Sequence, residues 1–191
     1  MSGRAFRPVN PYPIRTERLL LRKPRIGDAD EAVPLLQDDA IARWIPIMPS
    51  PYRRRNWTTW IRKNSGRPVM RPEGLSFPFL IEMEGRMVGM IGMRWDAKDC
   101  AANIGYWIGK PFRRQGIATE AAVALTAYAF RALRAEKVWA TVVKGNAGSP
   151  KVLKACRMRY EGTLREHQVH RGRRIDMEYY SVLRQEWRSV R

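Results

Sequence analysis

The sequence contains a helix whose composition forces it into the interior. Between Ala121 and Phe130 there is no charged residue, and the run from about Gly116 to Leu133 is apolar on nearly every face. A helix of this kind is stable only when neighbouring elements cover it. The chain must therefore fold around this segment, and its 191 residues are enough to bury a sizeable core.

A strand and a short basic loop lead directly into this helix. The segment "AANIGYWIG" alternates, with Ile104, Tyr106 and Ile108 on one face, which is typical of a strand. After the loop "KPFRRQG", the first backbone N–H groups of the helix have no partners within it, and the helix dipole is positive there. Phosphate groups bind readily at such a position, and Gly116 lets them approach the backbone closely. The segment therefore predicts an anion-binding loop.

The motifs that the chain lacks narrow the type of anion site. No Gly-Lys-Ser/Thr follows the loop, and the G-x-G-x-x-G run of dinucleotide-binding proteins is absent. The pattern present is Arg-x-x-Gly-x-Ala, in which Arg113 and Arg114 add positive charge and Gln115 adds an amide. The small Ala118 keeps the start of the helix open.

The other segments predict a mixed α/β domain. Strands are predicted on either side of Glu84-Gly85, over "KVWATVV", and on either side of Arg171-Gly172-Arg173. The full order is a strand, two or three helices, three strands, the central helix, a strand, a helix and two strands. This order favours an α/β (α+β) fold with a mostly antiparallel sheet and helices on both faces. We expect one domain over residues 1–191, with residues 1–13 as an irregular arm.

Three helix starts are predicted from capping residues. Asp28 is expected to cap the first helix, with Glu31 completing a capping box. Ser50 and Ser149, each followed by proline, are expected to cap two later helices.

The net charge of +18 is large for this length and favours an anionic partner. Between Ala40 and Pro72 there are eight basic residues and no acidic one. These residues are Arg43, Arg53, Arg54, Arg55, Arg62, Lys63, Arg67 and Arg71. An arginine-rich but merely solvated surface is the alternative explanation.

Metal-binding and membrane classes are not favoured. Cys100, Cys156, His167 and His170 offer too few ligands of suitable spacing for a zinc site, and we expect both thiols to be incidental. No run approaches the roughly 18 apolar residues of a membrane span, and the first residues include no apolar stretch of signal-peptide type. We therefore expect a cytoplasmic protein without a metal.

The loop and several other segments resemble one enzyme family. "RRQGIATEA" looks like the pyrophosphate-binding motif of the GNAT acetyltransferases, Gln/Arg-x-x-Gly-x-Gly/Ala. "TERLLLRKP", "IGYWIGKPFRRQGIATEA", "NAGSPKVLKACRMRYEG" and "DMEYYSVLRQEW" resemble the ribosomal-protein N-terminal acetyltransferase branch (RimJ/RimL-like), in the same order. The resemblance covers residues 16–187 and implies a GNAT fold.

The resemblance also implies the chemistry and its residues. Such enzymes transfer acetyl from acetyl-CoA to a primary amine by direct attack. The pyrophosphate would be held by Arg113, Arg114, Gln115, Gly116, Ile117, Ala118 and Thr119. Tyr106, Trp107 and Ile108 would lie along the pantetheine arm, in a wedge between their strand and the strand at residues 137–143. Asn146 would bond the cofactor arm, and Ser149 would assist the leaving sulfur.

Two departures from the family's pattern bear on the acceptor. Leu153 stands where many relatives carry a tyrosine acid, and Asn103 stands where a glutamate base is common. An α-amine has a pKa near ~8 and a lysine side chain near ~10.4, so an α-amine needs less help from a base. We therefore expect a protein N-terminus or a small-molecule amine as acceptor.

Other functions stay open at the level of sequence. The cluster at residues 53–55 and the nearby Trp57 and Trp60 are compatible with a nucleic-acid-binding module of the same fold, although the tryptophans fit a packed helix face with Ile61 better. The acid-free stretch could instead steer the enzyme toward an acidic peptide or a protein bound on RNA. A homodimer is compatible with the sequence but not required by it.

Overall fold

The computed structural model describes residues 11–64, the backbone of residues 69–71, and residues 74–188, and these form a nine-stranded sheet with helices on both faces. The strands are β1 (Ile14–Arg15), β2 (Leu19–Arg22), β3 (Val69–Arg71), β4 (Gly74–Met83), β5 (Arg86–Asp96), β6 (Ala101–Ile108), β7 (Lys137–Val143), β8 (Arg159–His170) and β9 (Arg173–Leu183). The helices are α1 (Ala29–Leu35), α2 (Asp39–Trp44), α3 (Arg54–Asn64), α4 (Ile117–Arg131), α5 (Ser149–Ala155) and α6 (Arg184–Arg188).

The sheet confirms the predicted fold class. Its strand order is β1-β2-β4-β5-β6-β7-β9-β8, with β3 paired to β4. Among the described strands, β6 and β7 form a parallel pair and the other neighbours are antiparallel. The predicted hairpin turns at Glu84-Gly85 and Arg171-Gly172 join β4 to β5 and β8 to β9. Of the predicted N-terminal arm, residues 1–10 lie outside the described residues.

Helix α4 is covered as its composition requires. No residue from 117 to 130 is exposed, and Leu125 at its centre is fully buried. This helix lies on the face of the sheet that carries Ile104 and Ile108, with α5 alongside it. The larger hydrophobic core therefore forms around α4.

Helices α1, α2 and α3 pack a second core on the opposite face of the sheet. Trp57 and Ile61 of α3 are buried there against Leu80, Met90 and Trp107. The indole N–H of Trp57 donates to the carbonyl of Arg25 at 3.0 Å, and its ring is 1% exposed. The prediction that Trp57 packs within the protein is confirmed, and this ring cannot stack on a nucleic-acid base.

The predicted cap of the first helix is wrong. The carboxylate of Asp28 accepts hydrogen bonds from the Arg22 guanidinium at 2.8 and 3.0 Å and from the Arg25 N–H at 2.6 Å. Glu31 accepts the backbone N–H of Met87 at 2.8 Å instead of completing a capping box. Asp28 therefore bonds a side chain of β2 and Glu31 bonds the backbone of β5, so neither side chain caps α1.

The predicted start of the third helix is also wrong. Ser50 and Pro51 precede the helix, which begins at Arg54. At this start the side-chain oxygen of Asn56 accepts the N–H of Arg53 at 2.7 Å.

Within the described part of the chain, no helix has the length and apolar character needed to cross a membrane.

Candidate active site

The N-terminus of α4 presents free backbone donors. Gly116 takes a left-handed conformation, with φ of 78°, and no side chain caps the helix. The first N–H group bonded inside the helix is that of Glu120, which donates to the Gly116 carbonyl at 3.0 Å. Among the described residues, none accepts a hydrogen bond from the N–H groups of residues 116–119. These donors fit an anionic group, as the sequence predicts.

Arg18, which immediately precedes β2, binds the loop that leads into α4. Both terminal nitrogens of its guanidinium donate to the Gln115 carbonyl at 3.1 Å, and its Nε donates to Glu120 at 2.8 Å. Glu120 also accepts the Thr16 hydroxyl at 2.6 Å and the Arg18 N–H at 2.9 Å. The network ties the start of α4 to the segment before β2.

The same network sets the charge of Glu120. Burial alone would raise the pKa of Glu120, but hydrogen bonds from Thr16 and from Arg18 outweigh it, and the pKa lies below its ordinary value. The carboxylate is therefore ionised at neutral pH. Because its lone pairs face Thr16 and Arg18, it leaves the N–H groups of residues 116–119 unbonded.

The two adjacent arginines of the loop have different environments. The Nε of Arg113 donates to the Ile108 carbonyl at 3.0 Å, and its guanidinium forms an ion pair with Asp38. Arg113 therefore anchors the loop and is largely neutralised, contrary to the expectation that it adds charge. Arg114 is exposed and, within the described residues, has no ion pair. Of the two, Arg114 is the one available to an anion.

The sheet opens beside this loop. Strands β6 and β7 pair only at Ala101–Asn103 with Lys137–Trp139. Beyond that point β6 runs on to Ile108 and β7 to Val143 without pairing to each other. Alternate backbone N–H and C=O groups along these edges are left facing the gap. The wedge implied by the resemblance is therefore present.

A cleft of about 1560 Å³ runs through the wedge to the helices on the other face. Its lining includes the helix start at residues 116–119, the strand residues 103–108, and Asn146 and Ser149. The cleft brings together all the residues predicted to form the site except Gln115. The Gln115 amide donates to the Pro111 carbonyl at 3.1 Å, outside the cleft lining.

Gly148, not the predicted Ser149, stands at the N-cap position of α5, and the side chain of Asn146 bonds the backbone at this helix start. The side-chain oxygen of Asn146 accepts the N–H groups of Gly148 and Ser149 at 3.2 and 3.3 Å. Ser149 is the first residue of α5, and its hydroxyl makes no cap. Its Oγ lies 2.8 Å from the hydroxyl of Tyr106 on β6. The serine hydroxyl is therefore held at the mouth of the wedge.

Tyr106 is a site residue whose side chain the sequence reasoning missed. Burial raises the pKa of Tyr106 well above its ordinary value, and the hydrogen bond with Ser149 only partly offsets this. The phenol is therefore protonated at neutral pH and can donate to Ser149. The alternating pattern placed Tyr106 on the same face as Ile104, but it could not identify a partner 43 positions away.

The positions that depart from the family's pattern have structural roles. Leu153 is fully buried in the core around α4. The Asn103 amide donates to the Trp139 carbonyl at 3.3 Å, where the two strands part.

Burial raises the pKa of the Cys156 thiol to about 11, so this cysteine is not a nucleophile at neutral pH.

The cleft contains no candidate base of the usual kind. Within the described residues, no aspartate, glutamate or histidine lines it. Its charged lining is basic, and consists of Arg55, Lys63, Arg94, Arg113, Arg114 and Lys151. In the same part of the chain, no group of three or more metal-ligating side chains occurs.

Comparison with known proteins identifies the family. Residues 18–159 match the acetyltransferase (GNAT) domain, and the chain belongs to this family. It is 29% identical to an uncharacterized N-acetyltransferase, p20, of Bacillus licheniformis, over 90% of this chain and 96% of p20. It is 28% identical to the Bacillus subtilis protein named "Putative ribosomal N-acetyltransferase YdaF", over 90% and 94% of the two chains.

A solved structure agrees with this assignment. Mycobacterium smegmatis RimJ, in complex with a CoA disulfide, superposes with a TM-score of 0.77 at 25% identity, over 90% of this chain and 84% of RimJ. The chain is thus a GNAT N-acetyltransferase that uses acetyl-CoA. The free donors at residues 116–119 and the open wedge fit this cosubstrate.

Replacing Gly116 should weaken coenzyme A binding. In Gly116→Ala the residue must take a φ of 78° to keep the native loop, and its Cβ would then lie 3.3 Å from the Arg18 guanidinium. In the free protein the alanine can relieve this strain of roughly 1–2 kcal/mol by turning the loop away from its donor geometry, and coenzyme A must then restore that geometry. We therefore expect the dissociation constant for coenzyme A, measured by calorimetry, to rise about tenfold. Gly27→Ala, where an added Cβ meets nothing within 4 Å, is the control. Equal affinities in the two variants would contradict this role of Gly116.

The Glu120 network predicts a pH-dependent stability. A carboxylate whose pKa is lowered by folding stabilises the native state above its unfolded pKa near ~4.3, and this contribution is lost as the pH falls through the folded pKa. Urea unfolding of Glu120→Gln should show a loss of about 1–2 kcal/mol at pH 7 that shrinks below pH ~4. The exposed Glu17→Gln is the control, and a pH-independent deficit in Glu120→Gln would contradict the assignment.

Proposed function

We propose that the protein acetylates the N-terminal α-amine of a protein or peptide. The observation that carries this proposal is the cleft lining, which within the described residues holds no carboxylate or histidine to act as a base. At pH 7 about one α-amine in ten is neutral, against fewer than ~1 in 1000 lysine side chains. An α-amine is therefore an acceptor that this cleft can use without a base. The name of the B. subtilis relative is consistent with a ribosomal protein as acceptor.

The cosubstrate supplies an activated acetyl thioester, and the chain supplies the groups that hold it. The N–H groups of residues 116–119, together with Arg114, would bind the pyrophosphate. The β6 edge at residues 106–108 would pair with the pantetheine arm, and Asn146 would bond it from the opposite side of the wedge. A free N–H of β6 would polarise the thioester carbonyl, and removal of such a donor typically costs ~100-fold or more in rate.

The hydroxyl pair of Ser149 and Tyr106 would complete the proton balance. Attack forms a C–N bond and breaks the C–S bond, so the amine must lose a proton and the leaving sulfur must gain one. The Tyr106 phenol stays protonated and lies 2.8 Å from Ser149 Oγ and 3.3 Å from the Ser149 carbonyl, either of which can accept its proton. When the phenol donates to Oγ, the single proton of the serine is free to point into the wedge. Ser149 would then protonate the sulfur while its oxygen takes the proton that the attacking nitrogen loses, so that the amine proton is replaced on the serine and the thiol leaves neutral. Tyr106 would act as a positioning residue.

Removing either hydroxyl should lower turnover without weakening binding of the cosubstrate. We expect Ser149→Ala to reduce kcat about 100-fold, the lower end of what general acids contribute, with the KM for acetyl-CoA little changed. Tyr106→Phe keeps the ring and should reduce kcat by a smaller factor. Release of free thiol measures both. A Ser149→Ala enzyme with unaltered kcat would rule out the proton-donor role.

A matched pair of peptides tests the acceptor class. One peptide has a free N-terminus and no lysine, and the other has an acetylated N-terminus and one internal lysine. We expect acetylation of the first peptide and almost none of the second, measured by mass spectrometry with acetyl-CoA. Modification of the lysine peptide alone would contradict the proposal, as would modification of small-molecule amines alone.

A further inference from the structure

In the half of the cleft beneath α2 and α3, the residues of the sheet that form its floor have a small side chain or none. On adjacent strands the register places Pro78 beside Gly92 and Gly92 beside Gly105, on one face of the sheet. A Cβ built on Gly105 would meet no atom within 4 Å, and one on Gly92 would meet only the Phe77 carbonyl, at 3.9 Å. Space for a ligand therefore exists above these three residues, and we call this space the acceptor trough.

The rows on either side of the floor carry larger side chains. Leu80, Met90 and Trp107 form one row, which is buried against the helices. Ser76, Arg94 and Asn103 form the other row. Trp44 of α2 and Trp60 of α3 line the cleft above them. The trough is thus partly aromatic and closed at the end that contacts the α3 core.

Three cations on the acceptor side of the cleft have no carboxylate partner among the described residues. Arg55 and Lys63 of α3 and Arg94 of β5 line the cleft, and within the described residues none of the three forms an ion pair. By contrast, Arg54, which neighbours Arg55 but does not line the cleft, pairs with Asp30. The three cations of the cleft lining are therefore free for a ligand.

We propose that the acceptor is an acidic N-terminal segment, with carboxylates close behind its free α-amine. This inference rests on the proposed function and specifies its substrate. The unpaired Arg55, Lys63 and Arg94, in a cleft whose described lining has no carboxylate, attract anions and repel other cations, and a confined cleft strengthens this field. A basic N-terminus or a polyamine would enter against this repulsion. The floor leaves room for the first residues of the peptide, and Arg55, Lys63 and Arg94 face its carboxylates.

Three lysine-free peptides of equal length test this inference. They share the first residue and continue with acidic, neutral or arginine-containing sequence. At low salt we expect kcat/KM for the acidic peptide to exceed that for the basic peptide about tenfold or more. The expected factor is no larger because each solvent-exposed ion pair contributes little binding free energy. The preference should fall as salt is added, because exposed charges are screened over about 10 Å at 0.1 M.

Charge reversal on α3 tests whether the cations of this helix cause the preference for the acidic peptide. The double variant Arg55→Glu and Lys63→Glu should lose the preference for the acidic peptide over the neutral and basic ones. Arg62→Glu is the matched control, since Arg62 is exposed on the same helix but does not line the cleft. This control should keep the preference.

The possible failures are distinguishable. If the enzyme acetylates the three peptides equally, or prefers the basic one, the acidic-acceptor inference is overturned and the proposed function stands. If Arg62→Glu and the double variant lose the preference equally, the trough is not the site of recognition and the inference is likewise overturned. If no peptide is acetylated while a small-molecule amine is, the proposed function fails and the inference fails with it.

Discussion

The parting of β6 and β7 is the constraint on which the rest of the site depends. Three residue pairs hold these strands together, and beyond them each strand continues with one unpaired edge. An unpaired edge inside a sheet is unfavourable unless another chain or ligand satisfies its backbone groups. The same gap places the free N–H groups of α4 beside the free β6 edge. A single cosubstrate can thus satisfy both.

The surrounding contacts keep this arrangement open. Arg18 pairs with Glu120 and donates to the Gln115 carbonyl, and Arg113 is held by Asp38 and the Ile108 carbonyl. These charged side chains satisfy each other and the loop carbonyls, so none of them occupies the N–H groups at residues 116–119. The loop is preorganised, and binding needs little reordering of it.

Local sequence patterns predicted the parts of the fold that depend on residues close together in the sequence. The alternation in β6, the uncharged run in α4 and the glycine turns were sufficient for the fold class, and they located the loop before α4, whose anion-binding role stays a prediction. The predicted caps were wrong because Asp28 bonds Arg22, the helix after Ser50 begins only at Arg54, and Ser149 is already inside α5. The Tyr106–Ser149 pair and the Arg18–Glu120 network join positions far apart in sequence, and no local pattern encodes such contacts. The separation of paired and unpaired arginines on α3 likewise required the fold.

An NMR titration of the ¹⁵N-labelled protein with coenzyme A and with pantetheine, which lacks the pyrophosphate, tests most directly whether the N–H groups of residues 116–119 bind the pyrophosphate. The amide resonances of residues 116–119 should shift with coenzyme A and not with pantetheine, while those of residues 104–108 should shift with both. Amides at residues 116–119 that respond equally to pantetheine, or to neither compound, would contradict this role of the helix start.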